Sequence, residues 1–240
     1  MEKLTYLFWD RPGRGAEELQ EQFLRDIGPR LLALDPLALT MNLDDADAQV
    51  ATPVPLPADE LPIRAQVSIW LHAHDFRAPF EEILQEAGIR RAGYLVSEAV
   101  YSDYGRSVNW PRARDWPDGQ RSPGITTLAV FEKKPGLDDA AFYGHWFGHQ
   151  SPMSEWMQPR SRYVRNMVIL GLTPGAPPYR AIVEEVWPSV EHLTDLRTFF
   201  GAESNEQLTD HIRIMMDSMK VFGSMESFRS FTMSEYLLKT

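Results

Sequence analysis

The sequence predicts an α+β fold in which one β-α-β-β-α-β unit is written twice along 240 residues. Three observations carry this. First, Phe8-Trp9-Asp10-Arg11-Pro12-Gly13 recurs as Phe131-Glu132-Lys133-Lys134-Pro135-Gly136, each after a run of strand-forming residues. Second, carried forward without gaps, the repeat sets Leu19 against Phe142, Phe23 against Trp146 and Pro29 against Pro152. These are the buried positions of a helix and the proline behind it. Third, Tyr94-Leu95-Val96-Ser97-Glu98-Ala99-Val100 is echoed by Phe231-Thr232-Met233-Ser234-Glu235-Tyr236-Leu237 where each unit closes.

The elements follow in order. Leu4 to Trp9 reads as a strand, and Pro12-Gly13 as a turn. Ala16 to Leu32 is an amphipathic helix with Leu19, Phe23 and Ile27 on one face. Leu37 to Leu43 is a strand. Asp44 to Pro62 is a long loop, because its prolines forbid a central strand. Ala65 to Ala73 is a strand, with His72 and His74 at its rim. Pro79 to Ala87 is a helix stopped by Gly88, and Ala92 to Tyr101 is the last strand. Arg106 to Pro123 is a linker. Then come a strand at Ile125 to Glu132, a helix at Asp138 to His149, and Ser151 as N-cap of a further short turn before Pro152. Strands at Tyr163 to Leu170 and Arg180 to Val186, helices at Ser189 to Phe200 and Asn205 to Lys220, and a strand at Ser227 to Leu238 complete the chain. The units are thus 1–106 and 124–240, joined by 107–123. Each is ferredoxin-like, with helices on one sheet face only. The bare faces would pack together as a barrel within one chain, and the space between the sheets is the expected ligand cavity.

Composition narrows the function. A net charge of −10 without a Lys/Arg stripe argues against nucleic acid and anionic membrane as partners. With no cysteine there is no disulfide, thiolate nucleophile or Cys-based metal site. The N-terminal apolar run is too short for a signal segment and no run is long enough to span a bilayer, so a cytoplasmic protein, monomer or homodimer, is expected.

Phe142, His145, Trp146 and His149 recur at spacings of three and four, so an α-helix gathers them on one face. Two imidazoles on an apolar face are unusual. An imidazole facing a cavity can move protons near neutral pH, and a helix-end His bonded to a carbonyl is the structural alternative. The His145–His149 spacing also suits a metal, but no third ligand is near in sequence, so no metal is expected. No nucleotide-binding glycine motif, serine elbow or haem-attachment sequence occurs, so no cofactor is expected either. On the strand after this helix, alternation sends Tyr163 and Arg165 to one face and Asn166 to the other. Glu184 and Glu185 must likewise point to opposite faces, making one of them an interior carboxylate. Glu98 and Glu235, related by the repeat, read as outward or capped. Met215, Met216 and Met219 have the spacing of core or cavity lining.

The Phe131-x-x-Lys134-Pro135-Gly136 motif, Phe142 with Trp146 and His149, Pro152, and Tyr163-Val164-Arg165-Asn166 resemble the EthD family of the dimeric α/β-barrel superfamily. The likeness runs through the C-terminal half and holds in outline for the N-terminal one. It implies a barrel that binds a hydrophobic, often aromatic, small molecule. Superfamily members include cofactor-free monooxygenases, cyclases, dehydratases and haem enzymes. On this reading His149 or His145 transfers a proton, and Trp146, Tyr163, Asn166, Glu185 and Phe142 bind the substrate. The alternative is a non-catalytic binder that assists another enzyme.

Overall fold

The computed structural model describes residues 1–10, 13–51 and 54–240; the turn expected at Pro12-Gly13 lies in part outside them. Eight antiparallel strands close into a barrel: β1 (Glu2–Trp9), β2 (Ala38–Leu43), β3 (Ile63–Leu71), β4 (Arg90–Ser102), β5 (Ile125–Phe131), β6 (Arg162–Gly171), β7 (Ala181–Trp187) and β8 (Arg229–Lys239). The circular order is β1-β3-β2-β8-β5-β7-β6-β4. Each half therefore contributes four neighbouring strands in the same relative order, β4-β1-β3-β2 and β8-β5-β7-β6, read in the same sense round the barrel. The halves meet along β2–β8 and β4–β6. Closure pairs every edge, so no strand is left as a template for aggregation.

Alternation along the strands separates two environments. In β1, Leu4, Tyr6 and Phe8 point outward to the helices, where they meet Leu19, Phe23, Leu31, Phe80 and Leu84 in a solid core. Those partners come from helix α1 (16–33) and from helix α2 (Ala78–Gln85). Helix α1 runs as Ala16–Glu21, a π-helical turn at Gln22–Ile27, and Gly28–Ala33. Lys3, Leu7 and Trp9 point into the barrel. Leu7 and Trp9 pack there against Val130, Val168, Ile182, Phe231 and Met233 from other strands.

The barrel interior is not the expected ligand cavity, because it is filled. Above its apolar layer lies a buried polar one centred on Glu184. That carboxylate accepts from Lys3 Nζ (3.1 Å), Asn166 Nδ2 (2.8 Å), Gln66 Nε2 (3.0 Å) and Asn42 Nδ2 (3.3 Å). Burial opposes its charge, but Lys3, Arg162 and these donors prevail and bring its pKa down to about 2. Glu98 and Glu235 also face inward rather than outward. Glu98 takes Lys3 Nζ at 2.8 Å and Trp70 Nε1 at 3.1 Å. Glu235 takes Arg162 Nη1 (2.7 Å), Tyr104 (2.8 Å) and Ser122 (2.7 Å). The segment after β4 supplies the last two groups. Its Tyr104, Trp110 and Trp116 pack edge-on against one another, so it is part of the packed molecule and not a loose linker.

The helix at the centre of the second half is longer than the sequence suggests. Helix α3 runs as Asp139–His145, a π-helical turn at Trp146–Gln150, and Ser151–Met157. Asp138 caps its start by accepting from the Ala141 N–H at 2.7 Å. Pro152 does not stop it and Ser151 is no N-cap. The wide turn just before the proline places the chain so that the missing N–H is tolerated. Ser151 sits in helical geometry and its hydroxyl donates to the Trp146 carbonyl at 2.9 Å. The same wide turn precedes Pro29 in α1. The predicted helix over 189–200 is two short ones, α4 (Glu191–Thr194) and α5 (Leu196–Phe199), broken at an extended Asp195 whose carboxylate caps the second. Helix α6 (Asn205–Phe222) follows. No helix among the described residues is long and apolar enough to cross a membrane.

Candidate functional site

The two halves differ in what lies between sheet and helices. In the first half, Phe80 and Leu84 of α2 fill that space. In the second, α6 and the short helices α4 and α5 stand off from the sheet and leave a chamber of about 340 Å³. Its floor is the outer face of β5 and β7, with Thr127, Ala129, Phe131, Val183 and Glu185. One wall is α3, through Trp146, Gln150 and Ser154. The roof is Phe199 and Phe200 together with Met215, Met216, Met219 and Phe222 of α6. The volume suits a small molecule, and a thioether-rich roof can adapt to its shape.

One end of this apolar chamber is polar. Glu185 opens onto it, salt-bridged to Arg160 and reached by Thr127 Oγ1 at 3.3 Å. Arg160 is wholly buried, which the adjoining carboxylates make tolerable: Glu185 on one nitrogen, Glu155 (3.0 Å) and Ser154 Oγ (3.0 Å) on the other. Its guanidinium also lies 3.9 Å from the centre of the Tyr163 ring. Burial raises the pKa of Tyr163 although Arg160 opposes the rise. Its hydroxyl lies 3.2 Å from Ser151 Oγ, which already donates to Trp146, so the phenol is the donor. Gln150 donates to Met215 Sδ at 2.9 Å, and its carbonyl oxygen is buried without a partner.

Trp146, Tyr163 and Glu185 line this chamber together, on the helix side of the sheet and not between the sheets, where Glu184 is the inward carboxylate; Met215, Met216 and Met219 line the roof. The others do not join them. Phe142 lies behind the wall, packed on Phe131, Trp146 and Phe222. Asn166 faces the barrel interior and donates to Glu184 and the Ile182 carbonyl. His145 is half-buried outside the chamber, with Nε2 2.8 Å from Ser218 Oγ, and burial lowers its pKa. His149 is exposed, its ring 4.8 Å from that of His145. The expectation that these imidazoles project into a cavity is corrected for a local reason. The wide turn at Trp146–Gln150 swings Gln150, not His149, under Trp146, and His145, in the regular turn before it, faces Ser218 and Phe222 of α6. Gln150, Thr127 and Arg160 are site residues that sequence reasoning missed. His72 and His74 stay at the rim, His74 Nδ1 2.8 Å from Glu2.

Among the described residues the chamber lining contains no imidazole or thiolate, its phenol is engaged by Ser151 and Arg160, and the thioethers of Met215, Met216, Met219 and Met225 lack the imidazole that accompanies a thioether on haem iron, so these donors do not fit a haem. No three His, Asp or Glu side chains among the described residues are grouped to hold a metal ion.

Eight antiparallel strands closed into a barrel, with the helices outside, make this an α+β barrel fold. The solved structure of an anthrone oxidase-like protein superposes with a TM-score of 0.58 over 98% of this chain and 90% of that one, at 12% identity. A mutant chlorite dismutase from Candidatus Nitrospira defluvii gives 0.47 at 8% identity, over 99% and 91% of the two chains. Only the first is similar enough to define the fold. No protein-family model and no curated protein matches the chain.

Proposed function

We propose that this protein is an enzyme that takes a hydrophobic, aromatic small molecule into the second-half chamber and removes an acidic proton from it with Glu185. The supporting observation is a single one: a carboxylate, anchored by Arg160, at the polar end of an otherwise apolar, aromatic and thioether-lined space. A fixed carboxylate screened from water is a competent general base for an activated C–H or O–H. Trp146, Phe200 and the Tyr163 ring would hold the flat substrate, and Gln150, whose side-chain oxygen has no partner, would orient it. His149 and His145, on the outer face of α3, take no part in this reading. No cofactor is needed for the proton step.

The EthD-like and duplicated character belong to the same proposal. Its support is the shared strand order of the two halves and the wide helical turn before Pro29 and Pro152 alike. The first unit would then be the degenerate one, its equivalent space filled by side chains of α2.

One observation favours the non-catalytic binder instead: both oxygens of Glu185 already have partners, Arg160 and Thr127. Anthrone, whose ring methylene is acidic, separates the two readings. Wild-type protein should accelerate exchange of that proton for deuterium. Glu185→Gln should lose about 100-fold or more, the usual span for a general base, while His149→Ala retains the rate. Binding without accelerated exchange in the wild type would leave the carrier reading.

A further inference from the structure

A buried guanidinium normally comes with a counter-ion, because desolvation is otherwise uncompensated. Among the described residues, buried Lys3, Arg64, Arg160 and Arg162 each contact a carboxylate. Arg165 does not. It is 9% exposed, and its one hydrogen bond runs from Nη1 to Ser151 Oγ at 2.9 Å. Its Nε is buried without a partner, whereas Nη2 makes no hydrogen bond and is not sealed from solvent. Nε and Nη2 together form the edge of the guanidinium fork that grips a carboxylate side-on. Burial lowers the pKa of Arg165, the direction expected of a cation still lacking its anion.

The surroundings are equally specific. Arg165 lies on β6 opposite Ala99 of β4, on the seam between the halves. The ring centres of Tyr101 and Phe147 lie 4.7 and 4.5 Å from its guanidinium carbon. Tyr101 is 37% exposed, so one aromatic wall is open to an arriving planar group. Ser151 and Phe147 belong to α3, but the chamber takes Trp146 and Gln150 from that helix and neither of these. The two places adjoin only through Tyr163, whose hydroxyl meets Ser151 and whose ring centre lies 5.6 Å from that of Tyr101.

We propose that Arg165, with Tyr101, Phe147 and Ser151, is a second binding site, for a small carboxylate borne on a planar group. The anion would engage the free edge of Arg165, and its ring would stack on Tyr101.

Thermal unfolding with benzoate as the probe tests this on the whole chain, because a ligand that binds only the folded state raises the unfolding temperature saturably. Benzoate should do so in the wild type and in the chamber-filling variant Ala129→Phe, whereas neutral benzamide should not. Arg165→Gln should weaken benzoate at least about tenfold, and the surface substitution Tyr101→Ala several-fold. Absence of a saturable shift would overturn the proposal. So would a shift retained in Arg165→Gln, lost in Ala129→Phe, or matched by inorganic phosphate. Should Arg165→Gln fail to fold, an undiminished benzoate affinity in Tyr101→Ala contradicts the site independently.

Discussion

Adjacent Glu184 and Glu185 divide the labour of this molecule, and a period of two is enough to separate them. Glu184 ties β7 to β1, β2, β3 and β6 inside the barrel, and Glu185 faces the chamber. The depressed pKa of Glu184 makes a stability prediction with a definite sign. Its folded pKa of about 2 lies below the ordinary 4.5, so its contribution is complete above pH 4.5 and lost as the pH falls towards 2. The shift corresponds to on the order of 3 kcal/mol. Denaturant unfolding of Glu184→Gln should show lower stability at pH 7 and a flatter acid limb between those pH values. An acid limb as steep as wild type would refute the assignment. That one carboxylate of the pair is interior could be read from sequence. Which one serves the barrel and which the chamber could not, because both environments are buried and alternation does not label them.

At the scale of elements, the wide turn in α3 decides the site. The strands were legible from periodicity to within a few residues, but for helices periodicity assumes one pitch and no break. The π-helical turn breaks that assumption where the imidazoles sit, and so the face predicted for His149 belongs to Gln150. A wide turn amounts to one inserted residue, and Gly148 lies in it with nothing within 4 Å of the position a Cβ would take. Removing Gly148 together with Pro152→Ala should therefore regularise the helix and leave the rest in register. Removing Gly144 with Pro152→Ala should instead rotate Trp146 off the sheet, forfeiting roughly the 3–5 kcal/mol of a lost core Trp. Unfolding temperatures of the two deletants check this; equal losses would show that the turn carries no spare residue. The break at Asp195 was missed for a related reason: Asp195 reads as one more polar helix position until it is seen capping α5.

At the scale of the molecule, the order of strands and helices expected from the sequence led to one closed barrel of eight strands. It misplaced the cavity, because bare sheet faces can be covered by ligand space or by their own polar side chains, and Lys3, Gln66, Asn42 and Asn166 chose the second. Hollow and solid halves also look alike in hydropathy, since both line their space with apolar residues. The difference lies in where α4, α5 and α6 stand, which only tertiary structure reveals. Ligand should therefore occupy the helix side of the second half. Calorimetric titration with 1-naphthol tests it most directly, comparing wild type with Ala129→Phe, whose added ring would enter the chamber floor. One binding site in the wild type, weakened at least about tenfold in a still-folded Ala129→Phe, is the predicted result. Equal affinity in the two proteins would place the ligand elsewhere and contradict the account.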